Sequence, residues 1–252
     1  MMILSYATFF LNYKRFKSVY LTLDSQIMKH LLKPFWIALV LGLSTLGTYS
    51  VAESQDKEIV SYPKKIDANC RDGKAKLYDE CGDQLVLFKN ALEYSRSQNK
   101  VLLISYGAEW CIWCHVFDAY LRGQKDEYTY TIGSPNTDDK DTYTIFEKSK
   151  FDATKEAAEL KSYAAKNFVL LHLDYRYAQN GNKVLALTKS ESHHTGGVPF
   201  IFTVTQDGVY ADSFNWKTAE TRRDGEDWYR GYDRSDLMRQ LVKMRAAALP
   251  RK

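Results

Sequence analysis

The stretch AEWCIWCHVF, Ala108 to Phe117, holds two cysteines, Cys111 and Cys114, with Ile112 and Trp113 between them and His115 directly after. Two thiols at this spacing can close into a disulfide and open again, the step of dithiol–disulfide exchange. One residue longer, CIWCH is also the string to which c-type haem is attached. Zinc would need two further ligands close by. The other two cysteines, Cys70 and Cys81, lie in a separate polar segment with ten residues between them, so no metal is expected.

Cysteine attacks only as the thiolate, and a free thiol has a pKa of about 8.5. What precedes the pair therefore matters. Val101 to Tyr106, VLLISY, is an unbroken apolar run, short and partly β-branched, as a buried strand is. Gly107-Ala108-Glu109 make a turn, and a helix is expected from Cys111 with Cys114, Phe117 and Leu121 along one face. The first turn of a helix offers unsatisfied backbone N–H groups and the positive end of its dipole. Cys111 is thus the expected attacking sulfur. Cys114, one turn deeper on the same face, is the expected resolving sulfur.

The remaining elements frame that unit. Asp83 is placed to cap a helix in which Leu85, Phe88 and Leu92 recur, ending at Asn99-Lys100. Residues 122–150 are rich in Thr, Asp, Lys and Tyr and read as an insertion, with TYTI at 129–132 and 142–145 suggesting a solvent-exposed hairpin. A helix from Ala153 to Lys166 leads into a second buried strand, FVLLHLD, Phe168 to Asp174. After a polar stretch to Gly197, PFIFTV and VYADSF flank Gln206-Asp207-Gly208 as a hairpin. Asp233 or Ser235 caps a last helix with Leu237, Leu241, Met244 and Ala248 on one face. Strands alternating with helices predict an α/β fold with a mixed central sheet flanked by helices.

Upstream, Lys29 and Lys33, the apolar run Phe35 to Leu46, and Ser50-Val51-Ala52 have the anatomy of a secretory signal peptide, with Met28 as the start and residues 1–52 as leader. The apolar run is shorter than the roughly 20 residues that span a membrane. Residues 53–82 read as an extended polar arm, and 83–252 as the folded domain. Of 35 basic and 31 acidic residues, five and one lie in the leader, which leaves 30 of each and no net charge. Nothing in that balance points to nucleic acid or to an anionic membrane. Four cysteines, all after the leader, suit an exported protein in an oxidising compartment, with Cys70 and Cys81 expected as a structural disulfide.

KVLLISYGAEWCIWCHVFDAYL resembles the strand, active-site turn and helix of the thioredoxin-like family, and GGVPFIFTVTQDG, Gly196 to Gly208, resembles its second signature. The likeness is to the exported, membrane-facing or periplasmic branch with AxWCxxC, which implies a bacterial periplasmic location. It implies a thioredoxin-like fold and a thiol-disulfide oxidoreductase acting on protein substrates with cysteines or disulfides, recharged by a redox partner protein, without a cofactor. By the same resemblance Trp110, Val198 and Pro199 contact substrate, with Val198-Pro199 as a cis bond beside the dithiol. Gly196 and Gly197 would allow a close approach there.

There are departures. Where the family carries a buried acid before the tryptophan, this chain has Ser105, so the proton of Cys114 must travel through water, His115 or another group. His115 itself reads as a helix-surface imidazole, with proton transfer as its functional alternative. Two other readings stand beside the oxidoreductase. One is a c-type haem protein, with Met238, Met244 or a histidine as axial ligand, although a buried strand running into the motif does not suit a helical cytochrome. The other is a redox-inactive binding module of the same fold.

Overall fold

The computed structural model describes residues 58–131, 144–223 and 226–249. The leader, Met28, the cleavage site and the start of the arm lie outside the described residues, as does the turn of the insertion.

The centre is a five-stranded mixed sheet. Its strands are β1 (Val60–Tyr62), β2 (Val101–Gly107), β5 (Phe168–Asp174), β6 (Phe200–Val204) and β7 (Tyr210–Ser213), in the spatial order β1-β5-β2-β6-β7. The first three run parallel, and β6 and β7 are antiparallel additions. Every residue of β2, β5 and β6 is buried, because helices cover both faces. Continuous apolar runs are what such two-sided burial demands.

Side-chain alternation divides the core. Leu102, Ile104, Val169, Leu171, Phe202 and Val204 face α1 (Gln84–Ser97) and α4 (Gly181–Thr188). Val101, Leu103, Phe168, Leu170 and Ile201 face α2 (Ile112–Leu121), α3 (Lys155–Asn167) and α6 (Arg234–Ala248). Burial of each such side chain contributes about 1.5–3 kcal/mol. Helix starts follow the expected chemistry. Asp83 accepts the N–H groups of Leu85 and Val86, Thr154 that of Ala157, and Asp233 that of Asp236.

The segment read as an arm is part of this layer system. Val60–Tyr62 pairs in parallel with Val169–Leu171 as an edge strand, and Tyr78 is fully buried. In the insertion, β3 (Gln124–Thr131) and β4 (Thr144–Phe151) form the expected antiparallel pair. β3 also packs against α2 and against β9 (Glu226–Tyr232), which pairs with β8 (Glu220–Arg223) beyond the short helix α5 (Trp216–Ala219). Among the described residues, no helix is long and apolar enough to cross a membrane.

Candidate active site

β2 ends at Gly107, and after Ala108, Glu109 and Trp110 the chain enters α2 with Cys111 as its N-cap. Cys111 has extended backbone (φ −83°, ψ 102°), and its Sγ accepts the N–H of Cys114 at 3.2 Å. A sulfur in this position takes the place that Ser or Asp oxygens take in ordinary caps. Cys111 and Cys114 form a disulfide with their Cα atoms 5.3 Å apart. Cys114 is wholly buried, whereas Cys111 keeps 4% of its surface exposed. Cys70 and Cys81 form a second disulfide, so their sulfurs are not available as metal ligands although Asp79 lies beside them.

The inner side of the pair rests on polar residues. In β2 and β5, Ser105 is paired with His172 and Gly107 with Asp174, and all four occupy the face turned toward α2. Tyr78 fills the space between, clustered with Cys111 and Cys114, and its Oη lies 2.9 Å from Ser105 Oγ. A methyl group on Gly107 would stand 2.5 Å from Cys114 Sγ and 2.7 Å from Tyr78 Oη. Any side chain at 107 would collide with both the phenol and the sulfur. Asp118, one turn past Cys114, accepts from His172 Nε2 at 3.1 Å and from Arg122 through Nε and Nη2 at 2.7 and 2.9 Å.

Trp110, Trp113, Val198 and Leu77 pack around the dithiol cluster as half-buried neighbours. The Val198–Pro199 bond is cis, and so is Tyr62–Pro63, which no sequence signal announced. The glycines before Val198 need correction. A Cβ on Gly196 or Gly197 would stand in open space, so close approach is not their reason. Their φ values of +89° and +84° are, since L side chains rarely adopt that backbone. His193 stacks on Tyr210 and His194 on Phe200, two rings of the core cluster on the α1 side of the sheet.

His115 is not a surface imidazole: it is buried, and its Nε2 donates to the carbonyl oxygen of Glu109 at 2.6 Å. The expectation assumed that one side of α2 faces water. In fact residues 114–121 are all buried, with β3 and β9 covering the far side. Glu109 in turn holds the arm, its Oε2 accepting the backbone N–H groups of Leu77 and Tyr78 at 2.8 and 3.0 Å.

Burial opposes ionisation of Asp118, but the hydrogen bonds and positive charges of His172 and Arg122 outweigh it and hold the carboxyl well below the usual range. Asp174 goes the other way. Burial raises its pKa, even though Oδ1 accepts three backbone N–H groups, and its buried Oδ2 has no hydrogen-bond partner. Tyr78 is pushed far above the ordinary phenol range by burial, with Ser105 opposing and Asp118, Glu109 and Asp174 adding to the rise.

Sequence reasoning found the two sulfurs and Ser105 and missed Tyr78, Glu109, Asp118, His172 and Asp174. One signal for two of them was present. His172 and Asp174 interrupt the apolar run FVLLHLD at alternate positions, which marks one face of that strand as polar toward its C-terminal end. Tyr78 had none, being one aromatic in a segment without period. Compared with known proteins, the chain matches no family model and no curated sequence.

Proposed function

We propose that this chain is an exported thiol-disulfide oxidoreductase of the thioredoxin-like fold, acting on cysteine-containing proteins through Cys111 and Cys114. The observation that carries this reading is a disulfide at the junction of a buried strand and a helix, with Cys111 as N-cap and Cys114 buried behind it. In the reduced protein the dipole and free N–H groups at the start of α2 favour a Cys111 thiolate. That thiolate attacks a client disulfide, one client sulfur leaves as thiolate and takes a proton from water, and a mixed disulfide remains. Cys114 then loses its proton and attacks Cys111 Sγ. The bond between Cys111 and the client breaks with its electron pair on the client sulfur. The client has gained two electrons and the pair is a disulfide again.

The same steps in reverse oxidise a client dithiol, and the potentials of client and partner set the direction. Trp110, Trp113 and Val198 form the half-buried rim that a client segment would meet. The two disulfides suit an oxidising compartment.

The test is reduction of insulin driven by dithiothreitol, paired with trapping. The parent protein accelerates the reaction, Cys111→Ser abolishes the acceleration, and Cys114→Ser accumulates client adducts that dithiothreitol releases. No acceleration by the parent together with no adducts on Cys114→Ser overturns the reading.

A further inference from the structure

We propose that Tyr78 is the hydrogen-bond donor that stabilises the Cys114 thiolate during resolution, with Ser105 orienting its hydroxyl; this rests on the dithiol reading above. A buried hydroxyl costs stability unless it is bonded, so a phenol at this place needs a reason that phenylalanine would not supply. Tyr78 and Ser105 bring two hydroxyl hydrogens, and among the described residues their mutual contact is the only hydrogen bond either side chain makes. One hydrogen occupies that contact. The other is left over.

The leftover hydrogen finds its acceptor in Cys114 Sγ, a member of the same buried cluster. Tyr78 Oη and Cys114 Sγ converge on the bare face of Gly107. A sulfur in a disulfide is a weak acceptor, whereas a thiolate is a strong one. The donor is therefore engaged when Cys114 opens and ionises, which is the moment at which it attacks.

The surroundings make such a donor necessary. The groups facing Tyr78 are Glu109 from the turn, Asp118 from α2, and His172 and Asp174 from β5. Three of the four are acids. A Cys114 thiolate forming in this buried, acid-lined place gains nothing from the charge of Glu109, Asp118 or Asp174. Because burial keeps Tyr78 protonated, it donates without taking the thiol's proton, which leaves to water. The bonds made and broken are those of the resolving step, so no further oxidant or reductant enters.

Tyr78 is held in register by two ties. Its N–H is bound by Glu109, and it lies inside the loop that the Cys70–Cys81 disulfide closes. The segment that reads as a polar arm thus delivers a functional side chain to the sulfur.

The experiment is a titration of Cys114 as the sole free thiol, in Cys111→Ser protein with Cys70–Cys81 intact, read as iodoacetamide reactivity against pH. Adding Tyr78→Phe should raise the apparent pKa by about one unit, a tenfold loss of thiolate at a given pH below it. Adding Ser105→Ala should shift it the same way by less. In protein with both redox cysteines present, Tyr78→Phe should slow release of the mixed disulfide while the alkylation rate of Cys111 stays at the parent value, a split that general loosening would not produce. The proposal fails if the Cys114 titration in Tyr78→Phe overlays that of its Cys111→Ser parent. Should Tyr78→Phe not fold, an unshifted titration in Ser105→Ala overturns it instead. Since the titration needs no client, a protein silent toward insulin and without client adducts, but with a shifted Cys114, would sink the oxidoreductase reading and leave only the hydrogen bond from Tyr78 to the Cys114 thiolate standing.

Discussion

The carboxylate of Glu109 accepts the backbone N–H of Tyr78 at 3.0 Å across 31 residues of sequence, and that of Leu77 at 2.8 Å. The residue just before the Trp-Cys motif is therefore the clasp of the arm. Hydrogen bonds to a charged acceptor contribute more than neutral ones. Glu109→Ala should cost about 3 kcal/mol in urea denaturation, and Glu109→Gln, which keeps one acceptor oxygen, about half of that. Amide exchange at Leu77 and Tyr78 should quicken in both. Unchanged exchange at those two amides would refute the clasp.

Cys111 should react before Cys114 in the reduced protein. Cys111 alone stands at the start of α2 and alone keeps exposed surface, while Cys114 is wholly buried. Alkylation at about pH 6.5, below the free-thiol pKa of about 8.5, selects for the more ionised sulfur. Peptide mapping should find the label on Cys111 well ahead of Cys114. Equal labelling would remove the assignment of attacking and resolving roles.

How much of this was legible follows from what pattern each element carries. The buried strands stood out because two covered faces require unbroken apolar runs, and Phe168–Asp174 matches its sequence reading to the residue. The helices capped by Asp83 and Asp233 combined a cap with a period. By contrast α4 was hidden in a stretch read as polar, since its eight residues bury only Gly181, Val184, Leu185 and Thr188. β1 has three residues, too few for alternation to show. β8 and β9 read ETRR and EDWYRGY, with little apolar pattern for a strand. For the site, the sulfurs announced themselves by spacing. Their polar floor did not, because Tyr78, Asp118 and His172 meet only once three separate segments have packed.

The Cys70–Cys81 disulfide should be the one that resists reduction. It closes a loop in a segment with few apolar residues of its own, and such a closure stabilises by on the order of 3 kcal/mol in the chain-entropy account. Cys70 is buried and Tyr78 within the loop is fully so. Graded dithiothreitol should open Cys111–Cys114 first, with Cys70–Cys81 persisting, as mass mapping of alkylated peptides would record. Replacing both Cys70 and Cys81 by Ser should lower stability by about that amount and also weaken protection of the Tyr78 amide. If both pairs open at one potential, the arm disulfide is not structural.

Asp118 and Asp174 should carry opposite pH signatures. Asp118 has a depressed pKa in the folded state, so its contribution is fully present above the unfolded value of about 3.9 and is lost as pH falls through the lower folded value. Asp118→Asn, which breaks a buried pairing with His172 and Arg122, should cost about 3 kcal/mol at neutral pH. That deficit should shrink once the pH drops below about 4. Asp174 has a raised folded pKa, so its favourable contribution is present below about 3.9 and is lost as pH rises through the folded value. Asp174→Asn keeps an Oδ1 acceptor for the N–H groups of Arg176, Tyr177 and Ala178. Its stability relative to the parent should therefore climb from about pH 4 to pH 7. Urea denaturation of the three proteins across that range measures both slopes. A constant Asp118→Asn deficit at every pH would show that the Asp118 charge is not what His172 and Arg122 hold, and a flat Asp174→Asn difference that the orphaned Oδ2 carries no buried charge.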